Sequence, residues 1–506
     1  MRFEQPFYTD PDLFLMADED LIERSEGAKF RICQMVKESK PVLYPDKIWE
    51  GGDGTNSRPV HQDPLYGTVL FDPDAKKYVL WYNTCNRLLY ASASGQNNRP
   101  QGSTVCMATS SDGLNWEKPV LGTVNFENSF ENNMVRVQVP PVLTDHLSGV
   151  VPNYVSGAST KLVATMYSHF NDPVYPMGIT QMYGDDGVNW TPHFPPTLPL
   201  NGDAHCLMWD PRTQAYLCTT RSYAHGVEIR RLQQIHGLHQ LRNKRHVAIA
   251  ASSDLVHWTP MIPILEADEK DPSNAQLYYM YVIPYGHGYV GIVQLFYMDE
   301  KNMTYGPLDM QLVFARNWTD WKRVGDRLPI LPRGPAGSWD QSHVSLCTNP
   351  PFPEGNRMRF WFGGKDTEHW QAGNAALGSA TLRRDGFACW EAGAEEACLT
   401  TVPFEMTWAA MRMFVNIEAP KGELRMSFVD AETEKPLDGT AREDCSPVTG
   451  DHLRAPLNFS ERRGSFVRHT GKVRLKIYLR NARLYSFICD GLRFQSEKIS
   501  TTGLWL

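Results

Sequence analysis

Several things are scarce in this chain of 506 residues. Its ten cysteines form no Cys-x-x-Cys pair and no Cys/His spacing suited to zinc, which excludes a zinc module and a dense disulfide framework and leaves buried free thiols as the expectation. Lys and Arg never cluster beyond KVRLK and RNKRH, and with a net charge of −7 there is no basic face for nucleic acid or an anionic membrane. Apolar runs are short: the most apolar stretch, Tyr278 to Met298, is interrupted by Pro284, Gly286, His287 and Gly288, so no membrane span is expected. The opening MRFEQPFYTDPDLF lacks a basic region followed by an apolar one; the chain as given reads as cytoplasmic, or as periplasmic or secreted if a leader has been trimmed. Convincing helical periodicity is missing as well. What is plentiful is aromatic residues, 11% of the chain with 14 Trp, within 42% apolar residues, enough for a large core and too much for disorder.

An internal repeat organises these aromatics. A strand, an Asp-containing turn and a Trp recur in ATSSDGLNWEKPVLG, QMYGDDGVNWTPHFPP, AASSDLVHWTPMIPIL, VFARNWTDWKRVGDRLPIL and SATLRRDGFACW, with the Trp at 116, 190, 258, 321 and 390. Each period also holds short β-branched or aromatic runs such as KKYVLWYNT, AYLCTTRS and RMRFWFGG. The period of roughly 70 residues fits a four-stranded antiparallel blade, and five of these make a propeller. The expected fold is all-β: a five-bladed β-propeller over 46–402, followed by a C-terminal β-sandwich over 403–506, where MFVNIEA, ELRMSFVD, KVRLKIYLR and RLYSFIC alternate in and out. Residues 1–45, with KFRICQMV and KPVLYP, are expected to lend an outer strand that helps close the ring.

Blade topology then sorts the acids. Asp112, Asp186, Asp254, Asp320 and Asp385 fall in the turns between third and fourth strands and are expected to accept local backbone hydrogen bonds. Asp63, Asn132 with Asn133, Asp203 and Asp340 precede innermost strands on the opposite face, at steps of 70, 70 and 137, and so are expected at one axial mouth. Asp268, Glu269 and Asp271 occupy the link before blade IV, and Glu50 and Asp53 the link before blade I. Carboxylates gathered at an axis should raise at least one pKa, and an acid titrating near neutrality beside an ionised carboxylate is what glycosidic cleavage uses. His169, Arg221, Arg87, Tyr90, Lys365, Asp366 and His369 come from the loops between second and third strands; His205, His343, Trp339 and Trp370 suit a sugar-binding wall. The loop from Ser222 to Arg245 is long enough for a lid or a partner surface.

The segment QDPLYGTVLFDPDAKKYVLWYN resembles the first blade of the five-bladed glycoside hydrolases that cleave fructans and arabinans, where an Asp-Pro opens the innermost strand. By that resemblance Asp63 is the nucleophile or general base. GDAHCLMWDPRTQAYL is similar to the later segment in which Asp203 matches the acid that stabilises the transition state, and the family's proton donor falls on Glu269 or Asp271, with Asp340 a further axial acid. The chain departs from the fructosidases in lacking Asn-Asp-Pro-Asn-Gly, the Arg and Pro around Asp203, and any Glu-Cys pair in the propeller, which points to a separate bacterial subgroup. The resemblance implies hydrolysis of a terminal sugar from an oligo- or polysaccharide, with no cofactor and no catalytic metal, though room for a structural cation on the axis. Two other readings stay open: a glycoside phosphorylase using Arg221, Arg333, His205 and Lys365 for phosphate, and a sugar-binding propeller without catalysis.

Overall fold

The computed structural model describes residues 3–51, 66–85, 103–138, 142–170, 177–199, 202–223, 245–299, 301, 305–369, 371, 373–459 and 467–494, with backbone alone at 85, 103, 142–146, 168–170, 177, 199 and 223. Apart from two short 3₁₀ turns, Glu19–Leu21 and Ile48–Glu50, the regular structure of the described residues is β. No helix among them is long and apolar enough to cross a membrane.

Five antiparallel blades surround an axis. Blade I is Gly67–Asp72, Lys77–Cys85 and Ser103–Ser110, with single bridges from Glu117 and Met134 at its outer edge. Blade II is Val142–Pro152, Leu162–Phe170, Met177–Gly184 and Asn189–Pro192. Blade III is His205–Asp210, Ala215–Tyr223, Arg245–Ser252 and Ile262–Leu265. Blade IV is Ala275–Tyr285, Gly288–Tyr297 and Leu308–Ala315, flanked by Lys322–Arg323 and Pro329–Leu331. Blade V is His343–Leu346, Arg357–Lys365 and Ala375–Arg383, and its fourth strand is Val36–Lys37, with Ala380 opposite Lys37 and Thr381 opposite Val36.

The repeat has a physical cause. In the first three turns an Asp accepts from the amides two and three residues ahead: Asp112 from Leu114 and Asn115, Asp186 from Val188 and Asn189, Asp254 from Val256 and His257. The following Trp then donates its Nε1–H to the carbonyl three residues back, as Trp116 does to Gly113, Trp190 to Gly187 and Trp258 to Leu255. Trp81 and Trp361 donate to two of these carbonyls, those of Gly187 and Gly113, from neighbouring blades at 2.6 and 2.7 Å, so those two turns also join blades. Blade IV differs: Asn317 rather than Asp320 accepts from the amides of Thr319 and Asp320. Asp385 differs more. It is buried, takes the Tyr285 hydroxyl at 2.6 Å and pairs with Arg454 at 2.5 Å, tying blade V to the C-terminal domain.

The domain limits expected at 402 and 403 need correction. Ala388–Ala392, which carries Trp390, and Ala397–Thr401 belong to the C-terminal sheet, whose order is Ile22–Glu26, Ala397–Thr401, Gly471–Arg480, Met413–Asp430, Ala482–Cys489, Ala388–Ala392, Lys29–Ile32. Trp390 therefore ends the repeat in sequence without belonging to a blade; the backbone hydrogen bonds of Ala375–Arg383 are already taken by Val36–Lys37. Three segments of residues 1–45 lie in this domain, since Leu13–Leu15 also pairs with Ala482–Cys489. The strands form one hydrogen-bonded sheet of 11, and Met413–Asp430 is the strand that turns it over its own core. It runs beside Ala482–Cys489 in its first half and Gly471–Arg480 in its second. The buried face of this domain includes Phe404, Val415, Leu424, Phe428, Leu475 and Leu484.

Blade II also departs from expectation. MVRVQV is an outer segment, Arg136–Val137 running parallel to Asn189–Pro192, and the innermost strand is Val142–Pro152. That strand needs a glycine at 149: φ is +59°, and a Cβ there would stand 2.4 Å from the Leu207 amide nitrogen of blade III.

Candidate functional site

The mouth is built where first strands begin and second strands end. In blade III the link before His205–Asp210 lies flat on the end of Ala215–Tyr223: Gly202 N–H donates to the Arg221 carbonyl and Arg221 N–H to the Ala204 carbonyl. A Cβ at Gly202 would meet that Arg221 carbonyl at 2.3 Å, so the residue must be glycine for the link to lie there. This contact sets Asp203 opposite Arg221, with Oδ1 and Nη2 2.5 Å apart; the Asp203 side chain keeps 35% of its surface exposed against 10% for Arg221. His205 is buried and its Nδ1 lies 2.8 Å from the Asp203 carbonyl, a geometry that suits Nδ1–H donation.

From there the contacts cross the mouth. The Arg221 guanidinium lies 4.9 Å from the Tyr278 ring centroid, and Tyr278 Oη is 3.1 Å from His369 Nε2. Arg245, at the start of the third strand of blade III, stands over Phe296 and donates to Gln276 at 3.1 Å. His369 N–H donates to the Gly306 carbonyl of blade IV. In blade V, His343 lies directly opposite Lys365 in register, and both are fully buried. The His343 ring is 6.1 Å from that of His369 and 6.4 Å from Tyr66 of blade I. Asp203, His205, Arg221, His343, Lys365 and His369 are thus brought into one chain of contacts running from blade III through IV and V to I. Arg245, Tyr278 and Tyr66 join it without having been singled out as site residues.

Other expected members stand elsewhere. Asp340 precedes its strand as expected but points to the outer edge of blade V, where it pairs with Lys37 of the fourth strand at 2.5 Å and takes the Ser338 hydroxyl at 2.9 Å. Trp339 lies on the flank of blade V instead of forming a sugar-binding wall, because Gly364 and Gly378 leave a trough there: added Cβ atoms would meet its ring at 2.4 and 2.8 Å. It stacks on Phe362 at 5.5 Å. Asn133 is likewise away from the axis, bonded to Trp49, Tyr82 and Met107 beside the outer segment of blade I. Glu50 joins the same network, fully buried, paired with Lys118 at 2.5 Å and accepting from Tyr82; burial pushes its carboxyl above the usual range, although Lys118 works against this.

In the link before blade IV, Glu269 is exposed and Asp271 is consumed by cations. Asp271 takes both Arg323 Nη atoms at 3.0 Å and an Arg327 Nη at 3.1 Å, while Asp268 pairs with Arg327. Asp63, Arg87, Tyr90, Trp370, the side chain of His169 and residues 224–244 lie outside the described residues. Among the described residues, no group of three or more His, Cys, Asp or Glu is placed to hold a metal ion.

One acid was missed. Asp309 opens the third strand of blade IV, three residues beyond Gly306, and is 5% exposed. Burial raises its carboxyl to about 6, against the pull of Arg333, the Tyr297 hydroxyl at 3.2 Å and Arg323. Its signal in the sequence is a lone acid in the apolar run PLDMQLVF, directly after a loop on the mouth face.

No known family description matches the sequence, and no curated protein does. Among solved structures, the chain is similar to a glycoside hydrolase at 10% identity, over 70% of this chain and 92% of that one, with a TM-score of 0.42. It is similar to an N-acetylgalactosamine deacetylase from F. plautii in complex with blood group B trisaccharide, at 14% identity over 70% and 96%, TM-score 0.41. A β-1,2-mannobiose phosphorylase from Listeria innocua stands at 9% identity over 69% and 96%, TM-score 0.41.

Proposed function

We propose that this chain is a glycoside hydrolase removing a terminal sugar from an oligo- or polysaccharide at the axial mouth. The observation that carries the reading is Asp203: a half-exposed carboxylate fixed by a backbone-locked Arg221, on a rim otherwise made of buried His, Tyr and Lys. Asp203 stabilises the positive charge that develops on the sugar ring. Asp309, with its carboxyl near 6, supplies the neutral form that protonation of the leaving oxygen needs. Asp63, by its resemblance, is the base or nucleophile.

The test is a screen of aryl glycosides and oligosaccharides, with and without phosphate, on the wild type, Asp203→Ala and Asp309→Asn, each checked for folding by its melting curve. Asp203→Ala is expected to lower kcat/KM by about 10³-fold, within the range that such groups contribute. Asp309→Asn should remove the fall in rate as pH rises through about 6. Absence of turnover on every substrate, with sugar binding that survives both substitutions, would overturn the reading and leave a binding propeller.

A second reading has its own support. Arg221 and Arg245 both stand over Tyr278, with Lys365 on the same rim, a set suited to an oxyanion. Turnover that requires phosphate selects a glycoside phosphorylase.

A further inference from the structure

A cavity of about 380 Å³ opens on the face away from the mouth, at the junction of blade V, the N-terminal segment and the C-terminal domain. This is within the range of small-molecule sites. Three arginines line it. Arg412 pairs with Asp10 at 2.7 Å and Arg454 with Asp385 at 2.5 Å. Arg384 is different: among the described residues its guanidinium has no carboxylate within 4.0 Å, and its Nε is buried with no hydrogen-bond partner. A guanidinium costs free energy when it is taken from water without a partner, so a cation placed here without one is a ready receptor for an anion.

The rest of the lining narrows the anion. Phe7, with 44% of its surface exposed, and Phe414 offer apolar faces, whereas Asp10, with a third of its side chain exposed, offers carboxylate oxygens. That acid would repel a multiply charged phosphate but accept from hydroxyl groups. An apolar face, hydroxyl acceptors and one planar cation together fit a sugar ring carrying a single carboxylate.

We propose that this cavity binds a uronic acid residue, its carboxylate on Arg384 and its ring against Phe7 and Phe414. The site is separate from the mouth and independent of the reaction assigned there. Among the described residues Arg384 makes no side-chain bond, so its replacement is expected to leave the fold intact.

Isothermal titration of the full chain with glucuronate, glucose and inorganic phosphate tests this. Glucuronate is expected to bind at least tenfold more tightly than glucose, and both Arg384→Ala and Arg384→Gln to weaken it at least tenfold with unchanged melting temperature. Arg221→Ala, at the mouth, should leave that binding unaltered. The proposal is overturned if glucuronate fails to bind, if its affinity is unchanged in both Arg384 variants, or if Arg221→Ala abolishes it. Phosphate binding equal to that of glucuronate and equally dependent on Arg384 overturns the uronate assignment in favour of a phosphate group.

Discussion

On the turn face of the propeller, Asp112, Asp186 and Asp254 are closed by amides two and three residues ahead; on the mouth side, Asp271 and Asp340 are held by cations 52 and 303 residues away in sequence. The first arrangement is exposed and repeats. The second is buried and differs between the two links. A local cap is a modest, replaceable bond, whereas a buried carboxylate is tolerable only while its distant cation stays in place. In blades I to III the turn face is thus organised by the chain's immediate geometry, and the mouth side by closure of the whole ring.

The contrast breaks most sharply at Lys37. Lys37→Ala leaves Asp340, with a side chain 4% exposed, without its cation; denaturant unfolding should show a loss of about 3–5 kcal/mol, most of it recovered when Asp340 is also made Leu. Asp309 gives the opposite sign. Its carboxyl is raised in the folded state, so the native protein binds more protons than the unfolded chain between about 4 and 6, and stability falls as pH rises through that window. Asp309→Asn should abolish this slope and stabilise the protein above pH 6 by about 2–3 kcal/mol, read from unfolding at pH 5 and 7.5. A smaller loss is expected for Gly364→Ala, which pushes into Trp339 and should cost about 1–3 kcal/mol without changing binding at the mouth.

The smallest effect belongs to the turn face. Asp254→Ala removes bonds to two amides and to His257 on an exposed turn, and unfolding should register no more than about 1 kcal/mol. The Asp254 carboxyl is lowered to about 2, with burial opposing its hydrogen bonds, so its contribution is complete above the unfolded carboxyl's range near 4 and is lost as pH falls towards 2. A loss at Asp254 as large as that at Lys37 would show that the two faces are not distinct.

This division also accounts for what the sequence made readable. The Asp-to-Trp spacing is local, so three of the five turns and the central strands of blades I, III, IV and V could be placed from it, and the position of Asp203 on the mouth side followed from its place before His205. Asn133 was placed on the axis because MVRVQV looks like a strand. The insertion of Val142–Pro152 behind it, held by Gly149 against Leu207, depends on a contact between blades. Asp340, Asp271 and Trp339 went astray for the same reason: Lys37, Arg323 and the Gly364–Gly378 trough are set by tertiary neighbours that no spacing reveals. Trp390 kept the period while its strand had already joined the other domain.

The pairing of Val36–Lys37 with Ala375–Arg383 and of Leu13–Leu15 with Ala482–Cys489 has a consequence for synthesis. A chain emerging from the ribosome would have blades I to III complete long before residues 13–37 could meet their partners. Those early residues must remain unpaired, with Phe14, Leu15 and Met35 in water, until more than about 250 further residues have followed. Ring closure and domain docking are therefore late, coupled events, and the first segment made is among the last to be protected.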